Sequence, residues 1–146
     1  MAPLIVMVVS WLAVRAMGAA GFWATADSWS NALRVALAVM FLFTSVSHFH
    51  PRTRNDLIRM VPPGMPSPAF LVAATGIFEL LGAVGLLIPS MTMAAAYGLI
   101  LLLLAMLPAN VHAARAGLMV AGRRASPLVW RLPLQLFWIG ALWWVS

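Results

Sequence analysis

Five stretches of about twenty residues, each almost wholly apolar, divide this chain, and that length is what a helix rising 1.5 Å per residue needs to cross roughly 30 Å of hydrocarbon. They run over residues 3–24, 31–49, 68–88, 91–113 and 127–145. With 64% apolar and only 8% charged residues in 146, the chain lacks the polar surface to cover a soluble globule. The expected fold is all-α, a polytopic helical bundle in a lipid bilayer.

The turns between the stretches carry helix-stopping residues: Asp27-Ser28-Trp29-Ser30, His50-Pro51, Ile88-Pro89-Ser90, and a Gly- and Arg-bearing run over 117–126. The formal charge of +6 suggests a nucleic-acid partner at first sight, but there is no Lys, and seven of the nine Arg lie in or beside two of these loops. Arg52, Arg54 and Arg59 occupy the second; Arg115, Arg123 and Arg124 occupy the fourth, with Arg131 at its edge. With five spans these loops share one side, so the positive-inside rule predicts a cytoplasmic N-terminus and a C-terminus outside, and it explains the charge with no nucleic-acid partner.

The first stretch has a second reading as a secretory signal, because residues 16–20 are mostly small. Against it stand an n-region without positive charge and an apolar run longer than a usual signal core. Removal would leave four spans with unchanged orientation. Residues 51–66 hold too much proline for one helix, yet Leu57, Ile58, Met60 and Val61 alternate with Arg54, Asp56 and Arg59, predicting a short amphipathic turn on the cytoplasmic interface that ends at Pro62-Pro63-Gly64. The tryptophans at 11, 23, 29, 130, 138, 143 and 144 gather mostly near span ends, as interfacial anchors do.

Glu79 stands near the centre of an otherwise uncharged apolar run, 67–89. A carboxylate at bilayer depth costs from a few to about 10 kcal/mol or more, so it is expected to face the bundle interior or a wet cavity. It shares a helical face with Thr75, Gly76, Gly82 and Ala83, continuing to Val72, and such small neighbours let another helix approach closely. On the second span Arg34, Ala38, Phe41, Ser45 and His48 form a stripe at steps of four and three. The fourth contains Pro108, which removes the backbone donor for the Leu104 carbonyl shortly before Asn110 and His112; the fifth begins with Arg131, Pro133 and Gln135. Under the derived orientation His48, Asn110, His112, Arg131 and Gln135 fall near the cytoplasmic half, and a cavity open to that side and floored by Glu79 is the expected construction.

Plainer roles stand beside these. Glu79 protonated and hydrogen-bonded to Asn110 or a carbonyl would be a structural lock. His48 and His50, flanking Phe49 at a helix end, suit capping better than ligation. A metal site is not expected: the pairs His48/His50 and Asn110/His112 are spaced by two, where one helical face needs three or four. Arg15 and Arg34 lie nearer the outer side, where either can snorkel or pair with Asp27. The chain has no Cys, which excludes disulfides, thiolate metal sites and thiol redox chemistry.

The elements His48-Phe49-His50-Pro51, Met60-Val61-Pro62-Pro63, Pro66-Ser67-Pro68, Thr75-Gly76-x-x-Glu79-Leu80-x-Gly82-Ala83-x-Gly85-Leu86-Leu87-x-Pro89, Leu107-Pro108-Ala109-Asn110-Val111 and Arg131-x-Pro133-Leu134-Gln135 occur in this order. Together they resemble bacterial DoxX-like membrane proteins from about residue 31 to the end. The resemblance implies a four-helix core over 30–146, to which residues 1–29 add one N-terminal helix. It also implies association with quinone-dependent sulfur oxidation or membrane oxidoreductase assemblies, but transfers no catalytic residue. The absence of Cys separates the chain from four-helix quinone reductases that work through thiols.

Three functions follow as expectations. One is a redox-associated subunit that binds a quinone or similar lipophilic molecule, with Glu79 or His48 exchanging protons and a membrane partner carrying the redox cofactor. Ser45, Asn110, His112, Gln135 and Arg131 complete the candidate ligand-binding or proton-exchange residues. The second is a proton-coupled exporter; small multidrug transporters also bury one Glu, but in their first helix, and dimerise to build a pathway. The third is a non-catalytic scaffold or assembly factor. A homo-oligomer is compatible with each.

Overall fold

The computed structural model describes residues 2–22, 28–120 and 122–146. Its elements are α1 (Ala2–Ala19), α2 (Trp29–Phe49), α3 (Pro51–Met60), α4 (Pro68–Leu87), a 3-10 turn (Pro89–Met91), α5 (Thr92–Arg115), a two-stranded antiparallel hairpin of β1 (Met119–Val120) and β2 (Arg123–Arg124), and α6 (Leu128–Val145). Among the described residues five helices are long and apolar enough to cross a membrane. The protein is an all-α helical bundle.

Local chemistry sets the ends of these helices. α1 stops at Ala19, short of the expected residue 24, because Gly21 adopts a left-handed conformation (φ 79°). Its N–H bonds to the Gly18 carbonyl and that of Phe22 to Met17, satisfying the last turn. Gly117 (φ 60°) ends α5 in the same way, with the Leu118 N–H returning to Ala113. Trp23 and Asp27 lie outside the described residues.

Two loops hold more structure than expected. Pro51 starts α3 at a first-turn position, where its missing N–H costs nothing, so a ten-residue amphipathic helix replaces the predicted short turn and ends before Pro62-Pro63. The 117–126 loop folds back as the hairpin, pairing Met119 with Arg124 and Val120 with Arg123, with Gly122 (φ 76°) in the turn.

α2 is the central helix, touching α1, α3, α4 and α6, whereas α1 packs on α2 alone. The core joins Leu37, Met40 and Phe41 of α2 to Ala83 and Leu86 of α4, Ala96, Leu99 and Leu103 of α5, Leu142 of α6 and Met7 of α1. Outward faces are also apolar: on α4, Ile77, Phe78 and Leu81 are exposed while Glu79 and Gly76 are buried. This inverts the pattern of a water-soluble helix and suits one surrounded by lipid, where close packing rather than exclusion of water holds helices together.

Glycine sets that packing. A Cβ on Gly76 would sit 2.5 Å from His48 Cβ, one on Gly82 2.5 Å from the Leu99 side chain, and one on Gly85 2.8 Å from Ala95 Cβ. The small-residue face of α4 therefore serves two neighbours, α2 through Gly76 and α5 through Gly82 and Gly85.

Of the tryptophans, Trp29, Trp130, Trp143 and Trp144 are exposed near helix ends, as expected of anchors. Trp11 instead packs edge-on against Trp29 (centroids 5.4 Å apart), and Trp138 packs against the core. The Arg15 guanidinium lies 4.5 Å above the Trp29 ring, and Arg34 donates to Thr92 Oγ1 at 3.4 Å.

Candidate intramembrane polar site

α2 and α4 run antiparallel, which brings the last turn of α2 against the first half of α4. The predicted stripe is buried there: Ala38, Phe41, Ser45 and His48 all face inward. His48 does not cap its own helix. Its ring crosses to α4 over Gly76, where the missing Cβ leaves room. Thr53 Oγ1 takes the capping role, donating to the Ser47 carbonyl at 2.6 Å.

The imidazole is held through Nδ1. His48 Nδ1 lies 2.8 Å from the Val72 carbonyl and 3.2 Å from Thr75 Oγ1. A carbonyl only accepts, so Nδ1 carries a hydrogen; the Thr75 hydroxyl spends its own on the Leu71 and Val72 carbonyls, both at 3.0 Å. This assignment leaves Nε2 facing Glu79 Oε2 at 3.5 Å. That separation is long for a hydrogen bond, and Oε2 is buried without any hydrogen-bond partner.

The tautomer restricts what the pair can be. A neutral ring presents the Nε2 lone pair to Oε2 and a protonated ring an N–H, and at 3.5 Å neither closes a hydrogen bond. Both residues are 4% exposed. An imidazole beside a carboxyl group in an apolar bundle can take up a proton and pass it on, and that is the chemistry this arrangement offers.

A second polar group forms at the α5–α6 seam. Arg131 donates to Asn110 Oδ1 at 2.8 Å and to the Ser126 carbonyl at 3.0 Å. Asn110 donates to Gln135 Oε1 at 3.2 Å, and Gln135 donates to the Leu103 carbonyl. The sequence identifies Leu104 as the carbonyl that loses its donor to Pro108; the carbonyl that Gln135 reaches is its neighbour, Leu103.

One cavity floored by Glu79 was the expectation, and two separate groups are found. Asn110, Arg131 and Gln135 spend their polar atoms on one another and on backbone carbonyls, so no hydrogen bond or ion pair among the described residues links them to Glu79. Both groups nevertheless occupy one end of the bundle. Arg34 on Thr92 places the start of α2 beside the start of α5, while Asn110 on Gln135 places the end of α5 beside the start of α6.

Ser45 and His112 join neither group. The Ser45 hydroxyl donates back to Leu42 at 2.9 Å, and His112 lines a surface groove with Pro108 and Arg115. A second groove, between α4 and α5, is lined by apolar and small residues including Phe78, Gly82 and Gly98. Neither groove is lined by Glu79 or His48. Among the described residues no group of three or more His, Asp or Glu side chains converges as a metal site would require.

Sequence reasoning missed Thr75 as a partner of His48, although it stands one turn before Glu79 on the same face. The Val72, Leu103 and Ser126 carbonyls had no sequence signal, because every residue has a carbonyl. No curated protein and no solved structure shows significant similarity to the chain. A family model does match residues 37–146, from within α2 through α6, and the chain thereby belongs to a domain family of unknown function, DUF8561.

Proposed function

We propose that this is a polytopic protein of the bacterial inner membrane that binds a small lipophilic molecule of the quinone class as a redox-associated subunit. The His48–Glu79 pair hydrogen-bonds the ligand's polar head and exchanges a proton with it. One observation carries this reading: a carboxylate oxygen buried within a membrane-length helix, with no hydrogen-bond partner and an imidazole 3.5 Å away whose other nitrogen is already fixed. Such an oxygen is an open position for a donor. The quinone class is supported by the DoxX-like motifs between His48 and Gln135 and by the apolar surroundings of the pair. Electron transfer would need a partner bearing the cofactor, since this chain has no haem or cluster motif.

A second reading is favoured by the closure of the site. With both residues 4% exposed and Gly76 packed on His48, the pair also fits a lock between α2 and α4. Ligand access then requires these helices to part.

The deciding experiment is mass spectrometry of small molecules that co-purify in mild detergent, with a redox difference spectrum, on wild type and Glu79→Gln. A stoichiometric quinone in wild type, absent from a variant with unchanged circular dichroism, is the expected result. No ligand in either form overturns tight quinone binding. Loss of proton-driven substrate flux in the variant, assayed in proteoliposomes, would instead mark a transporter.

A further inference from the structure

α5 carries a surface groove whose lining includes neither Asn110 nor any residue of α6. It is an open, shallow depression of about 520 Å³ lined by Leu104, Leu107, Pro108, Val111, His112 and Arg115. These positions, spaced three, one, three, one and three apart, form one continuous stripe over the last three turns of the helix. The stripe is graded: four apolar residues come first, then His112, then Arg115 in the last turn.

Its length selects the occupant. Leu104 to Arg115 is eleven residue steps, roughly 16 Å along the axis at 1.5 Å each, close to the ~15 Å depth of one leaflet's hydrocarbon. A free anion would need only the His112–Arg115 end, and a fatty tail alone only the apolar part. One molecule that uses both is a phospholipid.

His112 and Arg115 decide the sign of the headgroup. Further basic residues lie outside the groove at the same end of the bundle: Arg52, Arg54 and Arg59 on α3, which touches α5 and β1, and Arg124 on β2. The only acidic residue on α3, the hairpin or their flanking loops is Asp56. Pro108 contributes a flat ring, rather than a longer projecting side chain, to the groove.

We propose that this groove is a binding site for one anionic glycerophospholipid, its acyl chain lying along Leu104, Pro108 and Val111 and its phosphate held by Arg115 and His112. The site is separate from the His48–Glu79 pair and does not rest on the quinone reading. Arg115 is exposed and makes no side-chain hydrogen bond or ion pair among those resolved, so its substitution leaves the bundle intact.

The test is native mass spectrometry through graded delipidation, with rebinding from mixed micelles of phosphatidylglycerol or phosphatidylcholine. The proteins are wild type, Arg115→Gln, His112→Ala and Arg52→Gln, the last a basic residue outside the groove. One phosphatidylglycerol per chain is expected to survive delipidation and to rebind at least tenfold better than phosphatidylcholine. Arg115→Gln and His112→Ala should reduce that preference several-fold while Arg52→Gln preserves it. Equal binding of both lipids, or equal loss in Arg52→Gln, overturns the proposal in favour of a diffuse basic surface. Displacement of the lipid by millimolar inorganic phosphate overturns it in favour of a simple anion site.

Discussion

At the scale of single residues, the structure turns on Gly76, His48 and Glu79. Replacing Gly76 by Ala places a methyl group 2.5 Å from His48 Cβ, in a seam with no room to yield. The expected cost is about 1–3 kcal/mol, typical of overpacking, read as a lower detergent melting temperature. His48→Ala removes the bond from Nδ1 to the Val72 carbonyl and leaves a void where the buried ring packed, and should cost a similar ~1–3 kcal/mol. Glu79→Gln keeps the shape and should cost less. A double-mutant cycle on denaturant unfolding in mixed micelles separates the pair's coupling from these individual costs; additivity within about 0.5 kcal/mol would show that the two side chains do not interact. Glu79 was visible in the sequence because a lone carboxylate in an apolar span is chemically conspicuous. Its partner was less so: His48 sits at a helix end, where capping explains a histidine equally well, and only the crossing of α2 over Gly76 turns the ring inward.

At the scale of elements, the α5–α6 seam places an interhelical hydrogen bond beside the proline of a membrane helix. Pro108 leaves the Leu104 carbonyl without its backbone donor, and Gln135 on the adjacent helix donates to the neighbouring Leu103 carbonyl. Gln135→Leu should therefore destabilise the bundle by about 0.5–1.5 kcal/mol, the range for interhelical hydrogen bonds in membranes, and should also release Asn110. Thermal melts of the single variant and of Gln135→Leu with Pro108→Ala test this. If α5 depends on Gln135 because of the proline, the second substitution recovers part of the loss; no recovery would show that Gln135 acts only through Asn110. The length of the apolar runs announced α2, α4, α5 and α6 to within a few residues. It did not announce the hairpin, whose two-residue strands are too short for any alternation to register.

At the scale of the whole molecule, the basic residues of α3 and the hairpin share one end of the bundle with both polar groups. The positive-inside rule predicts a cytoplasmic location for that end, which labelling can test. Because the chain has no Cys, single substitutions report topology without background. Arg52→Cys is expected to react with a membrane-impermeant maleimide only after spheroplasts are opened, and Ser90→Cys in intact spheroplasts. The reverse pattern would invert the orientation. α1 is the element most separable from the rest, since it touches α2 alone and precedes the family match at residue 37. Deleting residues 2–22 should lower the melting temperature by exposing the core face of α2 that Met7 covers, while the α2–α6 helices remain folded by circular dichroism.

The sequence by itself determined the all-α class, the five membrane-length helices, the basic loops and the solitary buried carboxylate. These follow from composition and from the backbone's need to satisfy its hydrogen bonds within each span. Only the tertiary structure decided that the polar residues divide into two groups instead of lining one cavity. Which side chains meet depends on helix rotation and approach, and those are set by glycines at particular crossings and by carbonyls that no residue name distinguishes. A stripe such as Ala38, Phe41, Ser45 and His48 says that a face is buried; packing against Val72, Gly76 and Glu79 says what it does there.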